Sequence, residues 1–165
     1  MLTLTFQFGD QRRGLSHDRI VEVVALVDLT PVGPSPPGVV GAFSYHGVWV
    51  PALDLSLLSA GHPAARRWST RILIVDPRLA GFPGPLLGLI AEEATEMILR
   101  PSGPDSERES GGTVPELRWK ELLTPELHDW LAGFVEPTAA ADTSTPSRIR
   151  SPRNPRRPRH YHPET

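Results

Sequence analysis

Proline and glycine punctuate this chain so densely that they argue against long helices. There are 19 prolines and 14 glycines among 165 residues. Proline lacks the amide hydrogen that a helix interior needs, and glycine loses the most backbone entropy on ordering. The length suffices for one domain with a true core, or two small lobes, plus a tail. Apolar residues make up 39%, the low end for a globular chain. The absence of cysteine removes disulfides, thiolate metal sites and cysteine nucleophiles together and agrees with a reducing compartment. No apolar run approaches the roughly 20 residues that span a bilayer. The start, Met1-Leu-Thr-Leu-Thr-Phe6, lacks the basic and apolar regions of a signal peptide. A soluble cytoplasmic protein is expected, touching a membrane only indirectly, through a partner.

Charge is unevenly placed. Residues 138–165 hold six arginines (Arg148, Arg150, Arg153, Arg156, Arg157, Arg159) against Asp142 and Glu164, a surplus of four; with −2 overall, residues 1–137 carry −6. The segment is rich in Pro, Ser and Thr, with Ile149 and Tyr161 its only large apolar residues, so it cannot offset its ordering entropy. Residues 138–165 are expected to be a disordered, solvated basic tail and residues 1–137 the folded domain. Weak contact with nucleic acid or anionic lipid is the alternative use of those arginines.

The body reads mostly as strand. Leu2 to Phe8 alternates apolar and polar at period two, Gly9-Asp10-Gln11 makes a turn, and Arg13-Gly14-Leu15 begins a partner strand. Ile20 to Leu26 is dominated by β-branched residues, with room for one helical turn before it. Thr30 to Gly38 is a proline-rich loop. Val39 to Asp54 predicts a hairpin turning at Tyr45-His46-Gly47, where Gly47 can take a positive φ. Asp54 caps a short helix, Leu55 to Ala60, that Gly61 ends. Thr70 to Asp76, Leu86 to Ala91 and Thr95 to Leu99 are three further strands; Pro77 to Pro85 and Arg100 to Gly112 are loops. Thr124-Pro125-Glu126 starts a final helix whose Leu127, Trp130, Leu131 and Phe134 form one apolar stripe, expected to fill a gap against the sheet. Val50 to Leu58 is faintly echoed by Val114 to Leu123, which suggests two related β lobes.

Three blocks in this order carry a resemblance. They are Ile20-Val-Glu22-Val23; Gly41-Ala-Phe-Ser-Tyr-His-Gly47-Val-Trp-Val-Pro51-Ala-Leu-Asp54-Leu55; and Gly88-Leu-Ile-Ala-Glu92 followed by Glu96. Over about residues 1–99 the chain resembles the CheW-like coupling proteins of chemosensory signalling. The resemblance implies an all-β fold with short helices, in which two SH3-like five-stranded β-barrels pack side by side. It implies a non-catalytic adaptor that joins a chemoreceptor's cytoplasmic tip to the regulatory domain of a CheA-type histidine kinase, with no cofactor. The sequence departs from the family at Ser44 (an Asn there) and His46 (an Arg there). The first arm of the second-lobe hairpin is replaced by the polar loop from Arg100, which leaves the completeness of the second barrel open.

By the same resemblance, Ile20, Glu22, Gly41, Tyr45, His46 and Trp49 would meet the receptor, while Gly47, Pro51, Asp54 and Gly88 shape the turn, the cap and the backbone path. Glu22 and His46 are expected to be neighbours, because the matching positions pair in the family. Burial of such a pair would favour the charged imidazole, and contact would weaken as pH rises through its titration. Phe43, Tyr45, Val48 and Trp49 cannot all point inward, so apolar surface should remain for a partner. A purely backbone role for Gly41 and a capping role for Asp54 are the bland alternatives. Glu92, Glu93 and Glu96 read as a solvated strand edge rather than acid–base machinery, and His160-Tyr161-His162 as too sparse for a metal site. No phosphate loop, G-x-G-x-x-G, G-x-S-x-G or H-E-x-x-H occurs. A general SH3-like peptide-binding module outside chemosensory signalling is the rival function; a small hydrolase or nucleic-acid protein is the remaining one.

Overall fold

The computed structural model describes residues 1–82, 84–100 and 114–137. The basic tail, the His160-Tyr161-His162 group and most of the loop from Arg100 lie outside them. Seven strands form one hydrogen-bonded network: β1 (Leu2–Phe8), β2 (Gln11–Ser16), β3 (Ile20–Ala25), β4 (Val39–Tyr45), β5 (Val48–Asp54), β6 (Arg71–Val75) and β7 (Leu87–Leu99). Three short helices accompany them: α1 (Leu55–Ala60), α2 (Trp119–Leu122) and α3 (Pro125–Ala132). The expected helical turn before β3 is a 3-10 turn, His17–Arg19.

The two strands read at 86–91 and 95–99 are one strand, β7. Its first half lies antiparallel to β6 and parallel to β5, and its second half pairs with β1. At the handover Glu93 adopts φ 53°, a left-handed conformation that bends the strand and shifts its register. The first lobe is therefore the five strands β3-β6-β7-β5-β4, and its sheet does not close through backbone pairing. The second lobe is β2-β1 and the end of β7, joined by a parallel bridge between Gly14 and Glu116. Among the described residues it has three strands rather than five.

Residue alternation sorts β6 and the start of β7 into two cores. Ile72, Ile74 and Ile90 fill the first lobe with Phe43, Val50 and Ala52. Leu73, Val75, Leu87, Leu89 and Ala91 face the other way, meeting Leu4, Phe6 and Leu15 of the second lobe. Both faces of these strands are buried, which is why they read as unbroken apolar runs rather than alternating ones.

The final helix caps this second core. Thr124 Oγ1 accepts from the Leu127 amide at 3.3 Å, Pro125 opens the helix, and Gly133 follows its end. Leu127 and Leu131 are each 2% exposed within the core, where complete burial of a leucine contributes about 1.5–3 kcal/mol. Half-buried Trp130 donates its indole N–H to the Pro34 carbonyl at 2.9 Å. Phe134 lies past the helix end, its ring 5.3 Å from that of Trp130.

Candidate functional site

The hairpin β4–β5 turns at His46 and Gly47, both at positive φ (48° and 79°). That two-residue turn matches the twist of the flanking strands. Its register sets Tyr45 opposite Val48, Ser44 opposite Trp49 and Phe43 opposite Val50. Phe43 and Val50 point into the first core. Tyr45 packs partly against it, and Val48 at the tip is 49% exposed. Trp49, half-buried, lies with Ser44 on the other face.

Glu22 reaches this turn from β3, the opposite margin of the same lobe. Tyr45 donates its hydroxyl to Glu22 Oε2 at 2.5 Å. The bond spans the gap between β3 and β4 that the sheet leaves open. His46 does lie beside Glu22, but its Nε2 stays 3.9 Å from Oε2, too far for a hydrogen bond. Their side chains are 77% and 48% exposed, so the burial expected to charge the imidazole is absent. The His46 ring instead meets the Tyr45 ring edge-on at 4.4 Å. The carboxylate holds the Tyr45 phenol above its ordinary value, chiefly through the hydrogen bond.

Beside Glu22, Val21 is 49% and Val23 42% exposed. Strand β3 pairs only with β6, so it presents apolar side chains on an open edge, a ready surface for association. Ile20 is half-buried and packs against the second core. Gly41 is buried, at φ 148°, and a Cβ there would come 2.8 Å from the Thr30 carbonyl oxygen; its local environment demands glycine whatever else it does. Ala42 directs both its N–H and C=O to Thr30. Pro51 opposite it therefore has no ladder bond toward β4 to supply. At Gly88 a Cβ would sit 2.7 Å from the Phe43 ring, so its bareness makes room for that ring.

Asp54, 4% exposed, does more than cap. Its Oδ1 accepts from the Ser56 and Leu57 amides at 2.9 and 3.1 Å, and its Oδ2 accepts from the Ala64 amide at 2.9 Å. The reading of Glu92 as part of a solvated edge is corrected. It accepts from Ser56 Oγ at 2.9 Å and the Ala65 amide at 3.0 Å, so it holds the loop after α1 onto β7. Its neighbours Glu93 and Glu96 are both 3.2 Å from Arg12. Tyr45 as the partner of Glu22 and Glu92 as a loop anchor were missed from sequence; an acidic residue just before a strand bend was the only available hint.

Five strands packed round one apolar interior, in an open sheet whose margins β3 and β4 meet through the Tyr45–Glu22 bond, with a capped six-residue helix after the hairpin, define a lobe of SH3-like kind. The chain belongs to the CheW-like domain family, whose model matches residues 2–117. A search of curated proteins returned no significant match. Among solved structures it is similar to the scaffolding protein TtCheW from Thermoanaerobacter tengcongensis, with 24% identity, a TM-score of 0.52, and 63% of each chain covered. That likeness establishes the shared fold. Among the described residues no group of three or more His, Asp or Glu side chains is arranged to hold a metal ion, and no helix is long and apolar enough to cross a membrane.

Proposed function

We propose that this chain is a non-catalytic chemosensory adaptor, working in the cytoplasm, that couples a methyl-accepting chemoreceptor to the regulatory domain of a CheA-type histidine kinase. The observation that carries the reading is the family match across residues 2–117, which spans both lobes rather than one generic barrel. The open apolar edge of β3 and the tip of the hairpin, with Val21, Val23 and Val48 exposed, give it a receptor-facing surface. The mechanism is geometric: a rigid body holds receptor and kinase together so that a shape change in one reaches the other. Moderate affinity per contact suffices where many copies act in an array.

Three of the proposed receptor contacts, Glu22, Tyr45 and His46, meet at the mouth of the first lobe. Trp49 is a half-buried flank, and Ile20 and Gly41 act there through packing and backbone shape. The reading is tested by titrating the purified full chain with a CheA-type regulatory domain and with a receptor cytoplasmic-tip fragment from the same organism. Micromolar binding to both, and a ternary complex in which the receptor fragment alters kinase autophosphorylation, is the expected result. Binding to neither overturns it and returns the chain to the general peptide-binding reading.

A further inference from the structure

The flank of α3 that turns away from the core carries an aromatic ring beside carboxylates. Residues three and four apart share a helix face, so Glu126, Asp129 and Trp130 stand together, next to the stripe that buries Leu127 and Leu131. Trp130 donates its indole N–H to the Pro34 carbonyl at 2.9 Å; that bond fixes the ring and leaves it half-buried. The Phe134 ring lies 5.3 Å away, and Val135 beyond it is 81% exposed. Among the described residues no arginine pairs with Glu126, Asp129 or Glu136. Asp129, its side chain 86% exposed, has only the neighbouring His128 imidazole, at 3.5 Å.

A fixed ring flanked by carboxylates suits a guanidinium, which can stack on the ring and pair with the acids at once. The chain holds such groups close by. Arg150-Ser-Pro152-Arg-Asn-Pro155-Arg-Arg-Pro158-Arg159 has five arginines and no acid, whereas residues 124–137 have Glu126, Asp129 and Glu136 and no lysine or arginine. Proline at every third position favours an extended ligand with little conformational entropy to lose. Residues 138–149 join the two. A chain of that length reaches about 20 Å, against about 12 Å for an eight-residue helix. Such a tether sets an effective concentration on the order of millimolar, which a separate ligand would have to match. We infer that the α3 flank is the docking surface for this chain's own basic segment, residues 150–159, with an arginine seated on Trp130 beside Glu126 and Asp129. The arginines are thereby held against the acidic body instead of meeting nucleic acid or anionic lipid. This docking is independent of the adaptor reading.

The experiment uses the full chain, whose lack of cysteine lets Ser151→Cys carry a single nitroxide label. Paramagnetic broadening is read across the amide and indole NMR signals at low and moderate salt. It is expected at Glu126, Asp129 and the Trp130 indole, severalfold above that at Val48 on the hairpin tip, and should fade as salt rises. Glu126→Gln combined with Asp129→Asn should remove it without moving the melting curve, because both side chains are exposed. Arg153→Gln, Arg156→Gln and Arg157→Gln together should do the same from the other side and shift the Trp130 indole signal. Broadening that is absent, or even over the whole body, overturns the docking. Broadening that survives the carboxylate variants or is indifferent to salt shows a contact not selected by charge, and overturns it too. Equal broadening when label and isotope sit on different molecules makes the occupant a second copy, and a segment that leaves α3 untouched but binds phosphatidylserine vesicles or DNA makes it a polyanion ligand; either result overturns docking within one chain.

Discussion

Replacing Asp54 by alanine tests how much one side chain at the β5–α1 junction contributes. The carboxylate is 4% exposed and accepts three backbone N–H groups, two in the first turn of α1 and one at Ala64. Losing the helix cap costs about 1 kcal/mol. The Ala64 amide, left half-buried without its acceptor, adds about 1–3 kcal/mol. The expected total is about 2–4 kcal/mol. With a urea m-value of about 2 kcal/mol per molar, typical of small domains, the unfolding midpoint should drop by about 1–2 M. Asp54→Asn keeps one acceptor for the helix but turns an amide NH2 toward Ala64, so it should lose roughly half as much. Hydrogen exchange at Ala64 should accelerate in both variants. Unfolding free energies of both within about 0.5 kcal/mol of wild type, with Ala64 still protected, would refute the idea that this carboxylate ties loop to helix.

Gly88→Ala should destabilise by about 1–3 kcal/mol through overpacking, because its Cβ would fall 2.7 Å from the Phe43 ring and 2.9 Å from Ile72 Cγ2; a second change, Phe43→Leu, should recover part of the loss in thermal melts. The Arg78 side chain, hydrogen-bonded to Asp76, holds that carboxyl below its usual range. A lowered folded value means stabilisation that is present above the ordinary carboxylate range and lost as pH falls through the lowered value. Asp76→Asn should therefore flatten part of the acid limb of stability against pH, with no change near neutrality in its shape. Tyr45 is shifted the opposite way, upward, by its bond to Glu22. That contribution is complete below the ordinary phenol value and disappears as pH rises through the raised one. Ultraviolet titration should show one of the two tyrosines ionising late, and the late step should vanish in Tyr45→Phe and move down in Glu22→Gln.

Local chemistry made much of the fold legible. Alternation in Leu2–Phe8 marked a strand and set Leu4 and Phe6 in the core, but the half-buried strand it implied is buried on both faces at its centre, with Thr3 and Thr5 each 1% exposed. Asp54 and Gly61 bounded α1, and Thr124 and Pro125 opened α3, because caps and turns are decided by residues within a few positions of one another. The glycine and proline spacing of the hairpin was likewise readable. Tertiary structure alone decided what depends on distant chain. Residues 86–99 read as two strands because their patterning breaks at Glu92-Glu93; Leu87–Leu99 form one bent strand because β6 and β5 pair with its start and β1 with its end. Glu92 looked solvated until the Ala65 amide and Ser56 hydroxyl met it from α1 and the loop beyond. Proximity of Glu22 to the hairpin turn was foreseeable, but not that Tyr45 would take the hydrogen bond and leave His46 outside it. Sequence encodes which groups can donate and accept; the angstrom that separates a bond from a near miss is set by how two strand edges pack, and no window along the chain contains both.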